Sequence, residues 1–569
     1  MPPASRFKHF ALALGALAAA LPLLRAQETG APDGPKIMLP PFVVQGAAPW
    51  RYAHPPGFEV LSLWSDSKTE SFANGILAAR QLFDAVLPPE FQVQFSVPTA
   101  FLLVPDIGTD ALPGPLMAQV LAHPAAAGAT PTRVSFMTNL MLPDRDSMVV
   151  FAVLPGGSID PTRVVYSNDR VRLALERRVP ALPRWFAGGF YDLYTGMAFV
   201  RGGAETGTAG WISRQQADAL AEDPEMPRQL MPLAELFADP PPDAPEEAPA
   251  RAMLRQAEAS LFIRWALDGQ GAPRRAALWQ LVTESSAGPV TESRFKALFG
   301  EDYGSVLNDL SDYLPWALTH SLRLAPSQPP ADTDIRMREA TSAEIGRIKG
   351  DWERLEMDRV ALQFPELVPK YRERAEATFK FAYQDAKTDP GLLAVMGLFY
   401  LDCGKPAQAD PYLRAAAAGH VVRPRVYYEM ARRFFAELTK AQPASGQGRL
   451  SPGQAGALLG LLDQARALSP ALPEVYGLYS EIAMATDAQP GPALLKVIRE
   501  GAQLFPKNPP LLYNAAVMLA RGGDVAAADE TLRKGLGATA EPALRTKMAN
   551  LQSAIASALR SQSAPAAAH

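Results

Sequence analysis

From about residue 340 onward the chain reads as helix pairs, repeated at a spacing of roughly 34 residues. In one stretch Met396, Gly397, Tyr400, Gly404, Ala409, Leu413 and Ala416 fall at set intervals. In the last stretch Ala516, Leu519, Gly523, Ala528, Leu532 and Gly535 fall at matching ones. The small residues let two helices approach closely, and the large ones fill the space between neighbouring pairs. Units of this kind bury their apolar faces by stacking, so residues 341–556 are predicted to form an all-α solenoid. The stretch 473–506 matches less well, with a longer turn, and 426–438 and 453–468 supply helices that pair less regularly. The final SQSAPAAAH places a disordered tail over 557–569.

The first half has a different texture. Arg6, Lys8 and His9 precede an apolar run from Phe10 to Leu24, and Ala26 stands near a plausible processing point. Residues 1–27 therefore read as a secretory signal peptide, which predicts an exported, periplasmic or extracellular protein. The run is too short for a bilayer span, which needs roughly 20 apolar residues, and no stable span is expected once the leader is removed. Residues 28–56 are rich in Pro, Gly and Ala and read as a flexible lead-in. Over 57–230 an α+β domain is expected, with strands at 57–64, 99–104 and 147–154 and a helix at 67–87. A helical lobe follows over 231–325, and APSQPPADTD marks a linker at 326–340.

Composition excludes several functions. A net charge of −4 and a pI near 6.0 give no broad basic field for nucleic acid. Cys403 is the only cysteine, which rules out an internal disulfide and a thiolate zinc cluster. The Gly-rich pieces lack a phosphate-loop pattern, and no serine-hydrolase elbow is present.

One segment is arranged for chemistry that its residues cannot perform. Ser167, Asn168 and Asp169 offer an N-cap to a helix over 171–179, Pro180 and Pro183 break it, and a second helix runs from about Arg184 through Tyr194. In a zinc-binding helix two histidines four residues apart share a face, and the glutamate after the first activates the bound water. Here Leu175 and Val179 hold the histidine positions around Glu176, the vestigial general-base position. The following PRWFAGGFYDLY resembles the PxWxxEG segment of gluzincin-type peptidases, in particular the peptidase MA-like proteins. Trp185 and Gly189 match, and Gly188 replaces the third ligand. The resemblance is specific over 171–194 and weaker across 57–318. The repeat positions in turn resemble tetratricopeptide repeats.

These resemblances imply an α+β N-terminal peptidase-like domain with a helical lobe, followed by an all-α tetratricopeptide-like solenoid. They imply a strand-flanked groove without zinc, without another cofactor, and inert towards amide bonds. The expected function is a non-catalytic exported binding or scaffold protein, a pseudopeptidase whose repeats take a protein or peptide partner. Tyr427, Tyr428, Arg432 and Arg433 are candidates for that binding surface. An alternative is a hydrolase with a different site near Glu176, which predicts a compact polar cluster at the end of the strand 147–154. A third is a structural envelope protein that uses its repeats for self-assembly. The histidines outside the leader, His54, His123, His320, His420 and His569, show no spacing that predicts a cluster, and Glu176 is expected to pair with Arg172 or the next helix.

Overall fold

The computed structural model describes residues 36–37, 49–86, 97–105, 135–136, 139–154, 171–172, 175–195, 197–200, 203–206, 211–220, 230–238, 247–268, 272–324, 333–440 and 450–563. The chain divides into two compact units. The smaller comprises residues 1–43 and 107–138, where strands β1 (Lys36–Ile37) and β5 (Ser135–Phe136) pair in parallel. All remaining residues form the larger unit. The proposed leader lies outside the described residues.

The larger unit is built on a six-stranded sheet. Its strands are β2 (Arg51–Ala53), β3 (Glu59–Ser62), β4 (Thr99–Pro105), β6 (Asn139–Pro143), β7 (Met148–Leu154) and β11 (Arg338–Glu339), in the order β11-β2-β3-β4-β7-β6. The centre, β3-β4-β7, is parallel, and the edges are antiparallel. Helix α1 (Asp66–Val86) joins β3 to β4, as a parallel crossover requires. The apolar runs of these strands reflect a sheet covered on both sides. On one face Phe72 of α1 meets Phe101 of β4 edge-on at 5.3 Å. On the other, Trp352 of helix α9 (Ser342–Gln363) lies against Phe151 of β7 at 5.1 Å. Burying aromatics of this size is worth roughly 1.5–3 kcal/mol each relative to exposure.

Two expected boundaries are corrected here. The lead-in 28–56 contributes β2, and the linker 326–340 contributes β11, which pairs with β2 at Arg338↔Tyr52. The chain thus returns to the sheet before it enters the helical stack, and Arg338 also lies 4.5 Å over the Tyr52 ring. Two such short strands are hard to read against Pro-rich surroundings, because each gains its hydrogen bonds only from a distant partner.

Between β7 and the stack come α2 (Arg184–Thr195), β8 (Met197–Val200), β9 (Gly203–Thr206), α3 (Arg214–Leu220), α4 (Leu233–Leu236), α5 (Pro249–Leu267), α6 (Ala272–Ala287), α7 (Glu292–Phe299), α8 (Tyr303–Thr319) and β10 (Leu322–Leu324). Strands β8, β9 and β10 form a separate antiparallel sheet. Over the range of the expected lobe the described residues form helices α4 to α8 and the strand β10. Their core is aromatic: Trp185 packs on Phe237 and Phe262, and Phe295 stacks on Phe299 at 4.5 Å. Helix α7 starts at a Thr291 cap and stops at Gly300, whose φ of 81° suits a residue without a Cβ.

The C-terminal region is all helix. Its pairs are α9 with α10 (Val368–Asp385), α11 (Pro390–Asp402) with α12 (Pro406–Ala418), α13 (Pro424–Lys440) with α14 (Pro452–Arg466), α15 (Pro473–Met484) with α16 (Pro492–Leu504), and α17 (Pro509–Arg521) with α18 (Val525–Ala538). Helix α19 (Pro542–Ser563) closes the stack. Many of these helices begin on proline, where the missing amide costs nothing. The repeat positions read from the sequence take their expected places: Ala409, Leu413 and Ala416 are buried, and a Cβ on Gly397 would meet Leu413 Cδ2 at 2.5 Å. Helices α13 and α14 also pair with each other. The disordered tail expected over 557–569 is corrected in its first part, because α19 runs through Ser563 and buries Ile555.

Candidate functional site

The peptidase-like segment folds into helical turns at 171–172 and 175–176, then a turn and bend, then α2. Val179 is not helical, which corrects the helix expected over 171–179. Arg178 donates its backbone N–H to Leu175 O in a tightened last turn. Val179 then stands in a bend before Pro180, outside the helix. Positions 175 and 179 therefore do not stand one above the other on a helix. Leu175 is only 3% exposed and belongs to the apolar core with Trp185, Phe186 and Phe190. Glu176 points to the surface and lies 3.6 Å from Arg172, one turn back, as the spacing suggests.

Helix α2 takes its position from a close crossing with α5. Gly189 O accepts a hydrogen bond from Ser260 Oγ at 2.9 Å, and a Cβ on Gly189 would fall 2.7 Å from Ala259 C. Glycine is required there by backbone approach. Gly188 is different, since a Cβ would meet Gln256 Cγ at an ordinary 3.6 Å. One turn on, Asp192 accepts from Gln256 Nε2 at 2.7 Å and from Gln216 Nε2 at 2.5 Å. Burial pushes its carboxyl up to about 6, against the pull of the two amide donors. Gly188, where the resemblance implied a third ligand lost, thus lies between a close helix crossing at Gly189 and an amide-clamped carboxylate at Asp192.

The four candidates for a binding surface differ in their burial. Tyr427 is buried and donates its hydroxyl to Val421 O, because it faces the core side of α13. Tyr428 is half-buried against the same core. Arg433 reaches back to Asp410 of α12. Arg432 alone is well exposed, and it pairs with Glu429 of its own helix at 2.7 Å. The two tyrosines at the start of this helix pack against the core of the stack.

The residues that follow the strand 147–154, at 155–170, lie outside the described residues, and a polar cluster is described at the strand's beginning. Residues Asp144 to Ser147 form the turn between β6 and β7, closed by Asp144 N–H on Ser147 O at 2.8 Å. Asp144 and Asp146 enter a buried charge cluster in the helical stack. Arg425 Nη1 donates to Asp144 Oδ1 and Oδ2 at 2.7 and 2.9 Å. Arg423 Nη2 donates to Asp146 Oδ1 at 2.9 Å, and the backbone N–H of Arg425 to Asp146 Oδ2 at 2.9 Å. Arg354 of α9 is 1% exposed on its side chain and pairs with Asp144, with Asp351 at 2.7 Å and with Asp402 of α11 at 2.6 Å. Arg177, next to Glu176, donates to Asp144 O. Burial alone would raise the Asp144 carboxyl; Arg354, Arg425 and Arg423 overcome it and hold that group well below the usual carboxylate range. A carboxylate held so is a poor proton acceptor. No signal within any single segment marks it, since its partners stand up to 281 residues apart.

A second seam runs beside it. Lys349 Nζ donates to Glu353 Oε1 at 2.7 Å and Thr378 Oγ1 at 2.8 Å, and Arg374 of α10 pairs with Glu356 at 2.6 Å. Arg347 of α9 pairs with Glu59 of β3, which also accepts from the Tyr52 hydroxyl. Among the described residues, no three His, Cys, Asp or Glu side chains are placed to share a metal ion, and no helix is long and apolar enough to cross a membrane.

The fold and its charged seam define a mixed α/β region continued into an all-α, repeat-like helical stack. No family model matches the chain, and no curated protein sequence does. Among solved structures it is similar to Pseudomonas aeruginosa pilF, at 14% identity over 38% of this chain and 95% of that one, with a TM-score of 0.25. It is also similar to a thermophilic TPR protein of Thermus thermophilus, at 16% identity over 36% of this chain and 99% of that one, with a TM-score of 0.23. At such scores the likeness adds nothing to what the helix pairs of this chain define by themselves.

Proposed function

We propose that this chain is a non-catalytic exported binding or scaffold protein. In this reading an inactive domain of gluzincin or peptidase MA-like descent presents a tetratricopeptide-like stack to a protein or peptide partner. One observation carries the reading: where a peptidase would converge two imidazoles, Leu175 is packed into the core and Val179 has left the helix. Aliphatic side chains donate no electron pair to a metal, and Glu176 then has no bound water to activate. Gly188 removes the third ligand in the same way. The element order supports the descent, because a parallel sheet with an antiparallel edge leads into a helical segment, a proline break and a second helix. The stack supports the binding role, since stacked helix pairs offer extended surfaces suited to peptides. Export rests on the leader-like residues 1–27.

The test is a peptide array probed with the full chain in the presence of zinc, with mass spectra taken of the bound peptides. Saturable binding to a subset of peptides without cleavage is the expected result. Cleavage that disappears in Glu176→Gln would sink the non-catalytic half of the proposal. Absence of binding to any peptide would sink the half that gives the stack a peptide partner.

A further inference from the structure

Helices α10, α11 and α12 bring three tyrosines into ring contact. Tyr400 of α11 and Tyr412 of α12 stack, with centroids 5.6 Å apart and planes 14° from parallel. Tyr383 of α10 meets the same Tyr412 edge-on, at 5.8 Å and 85°. Tyr400 is 8% exposed, and Tyr383 and Tyr412 are half-buried, so the cluster opens to the surface through the last two. Tyr400 and Tyr412 stand twelve residues apart, across the connection at 403–405. That connection is fixed by Lys405 N–H, which donates to Tyr400 O at 2.8 Å. The close approach of Gly397 to Leu413 holds the two helices together beside the rings.

A tyrosine that gives up one electron and its phenolic proton becomes a phenoxyl radical. The unpaired electron lies in the π system, above and below the ring, and is dense on the carbons ortho to the oxygen. Two such rings join from a face-to-face approach, in which those orbitals overlap. An edge-on contact sets the rim of one ring against the face of the other and gives little overlap. The stacked pair therefore has the geometry of the coupling step, and the edge-on pair lacks it. Burial first, and then the Glu376 carboxylate of α10, raises the Tyr400 phenol; burial, Tyr383 and Glu376 raise that of Tyr412. Both are thus neutral phenols, and each releases its proton on oxidation. Cys403 is the only cysteine, so no disulfide can tie these helices together.

We infer that Tyr400 and Tyr412 form an oxidative modification site, at which a small one-electron oxidant of the radical class joins the two rings into a dityrosine within the chain. The half-buried Tyr412 meets the oxidant, and electrons pass readily between rings in contact. Two oxidant molecules each take one electron, and the two phenolic protons go to water. The radicals form one bond between ortho carbons, and the two ortho hydrogens then move to the oxygens and restore the phenols. The chain loses two hydrogens in all and gains a covalent clasp between α11 and α12. The inference goes beyond the scaffold reading and does not depend on it.

The test oxidises the full-length chain, at high dilution, with azidyl radicals made by radiolysis of an azide solution. The product is unfolded, alkylated at cysteine and digested with trypsin. Lys405 precedes Pro406, so Tyr400 and Tyr412 stay in one tryptic peptide, 388–414, while Tyr383 falls in another, 381–387. The expected product is peptide 388–414 with the blue fluorescence of dityrosine, a mass lower by two hydrogens, and Cys403 still alkylated. These signs persist in Tyr383→Phe and vanish in Tyr400→Phe and in Tyr412→Phe. A bond between 381–387 and 388–414, bonds between separate chains alone, or no dityrosine at all would overturn the inference. Should either of the last two variants not fold, the fragment spectrum of the native peptide decides. A bond from 400 to 412 suppresses backbone fragments that end between them, and a full series of such fragments overturns the site.

Discussion

The helix pair around residues 171–195 and the seam between the β6–β7 turn and α9 invert what each was expected to be. The first carries a pattern associated with polar chemistry, and it is consumed by apolar packing around Leu175, Trp185 and Phe190. The second joins the residues before an expected strand to an expected repeat helix, and it holds a dense cluster of buried charge. A motif is a local arrangement, but its chemistry depends on side chains that the fold can withdraw. A buried ion network is nonlocal, and charges such as Arg354 and Glu353 read along one helix as a solvated face.

The contrast can be broken most severely at Arg354. Arg354→Met leaves Asp144, Asp351 and Asp402 short of a guanidinium in a buried place, and a cost of about 3–5 kcal/mol is expected in urea unfolding. A loss below about 1 kcal/mol would mean that the seam is wet and weakly coupled. On the other side of the comparison, Leu175→Ala should cost about 2–4 kcal/mol as a core truncation. A near-neutral result would return Leu175 to a groove.

The two adjacent glycines sharpen the same point. Gly189→Ala forces a Cβ to 2.7 Å from the α5 backbone and should cost roughly 1–3 kcal/mol, whereas Gly188→Ala meets only Gln256 Cγ at 3.6 Å. The Gly188 change should be neutral or stabilising by up to about 1 kcal/mol, because alanine suits a helix better. Equal effects at both positions would contradict the crossing of α2 and α5.

The carboxylates of the two regions should respond to pH in opposite senses. Asp144 is held low, so its contribution is present above about pH 4, the ordinary carboxylate range, and is lost as pH falls towards its folded value. Asp192 is pushed up to about 6, so its contribution is present at low pH and is lost as pH rises through about 6. Asp192→Asn should therefore flatten a fall in stability between about pH 4 and 6, read from unfolding midpoints across that range. A difference between variant and native that stays constant over this window would contradict the assignment. The smallest effect is expected at Glu176, where Glu176→Gln breaks only an exposed pair with Arg172 and should change stability by less than about 0.5 kcal/mol.

What the sequence disclosed follows the range of the forces involved. Gly397 against Leu413, and Ala528 with Leu532, are contacts within one repeat, so spacing alone exposes them. The apolar runs of β3, β4 and β7 are long enough to announce a covered sheet, while β2 and β11 are not, since two or three residues acquire a strand only by pairing with each other. The end of the helix at Glu176 was legible in Pro180, yet the four-residue spacing drew the helix too far. Tyr427 failed as a surface residue because an aromatic at a helix start looks the same whether it faces solvent or Val421 O. The buried charge cluster was hidden because Asp144 and Arg425 meet only after the α/β region has folded against the stack.

The central claim is that residues 171–195 serve packing and hold no catalytic metal. Metal analysis of the purified full-length chain, after zinc loading and gel filtration, tests it most directly. The account predicts far less than one equivalent of retained zinc and no difference between the native chain and Glu176→Gln. One tightly held equivalent would contradict it.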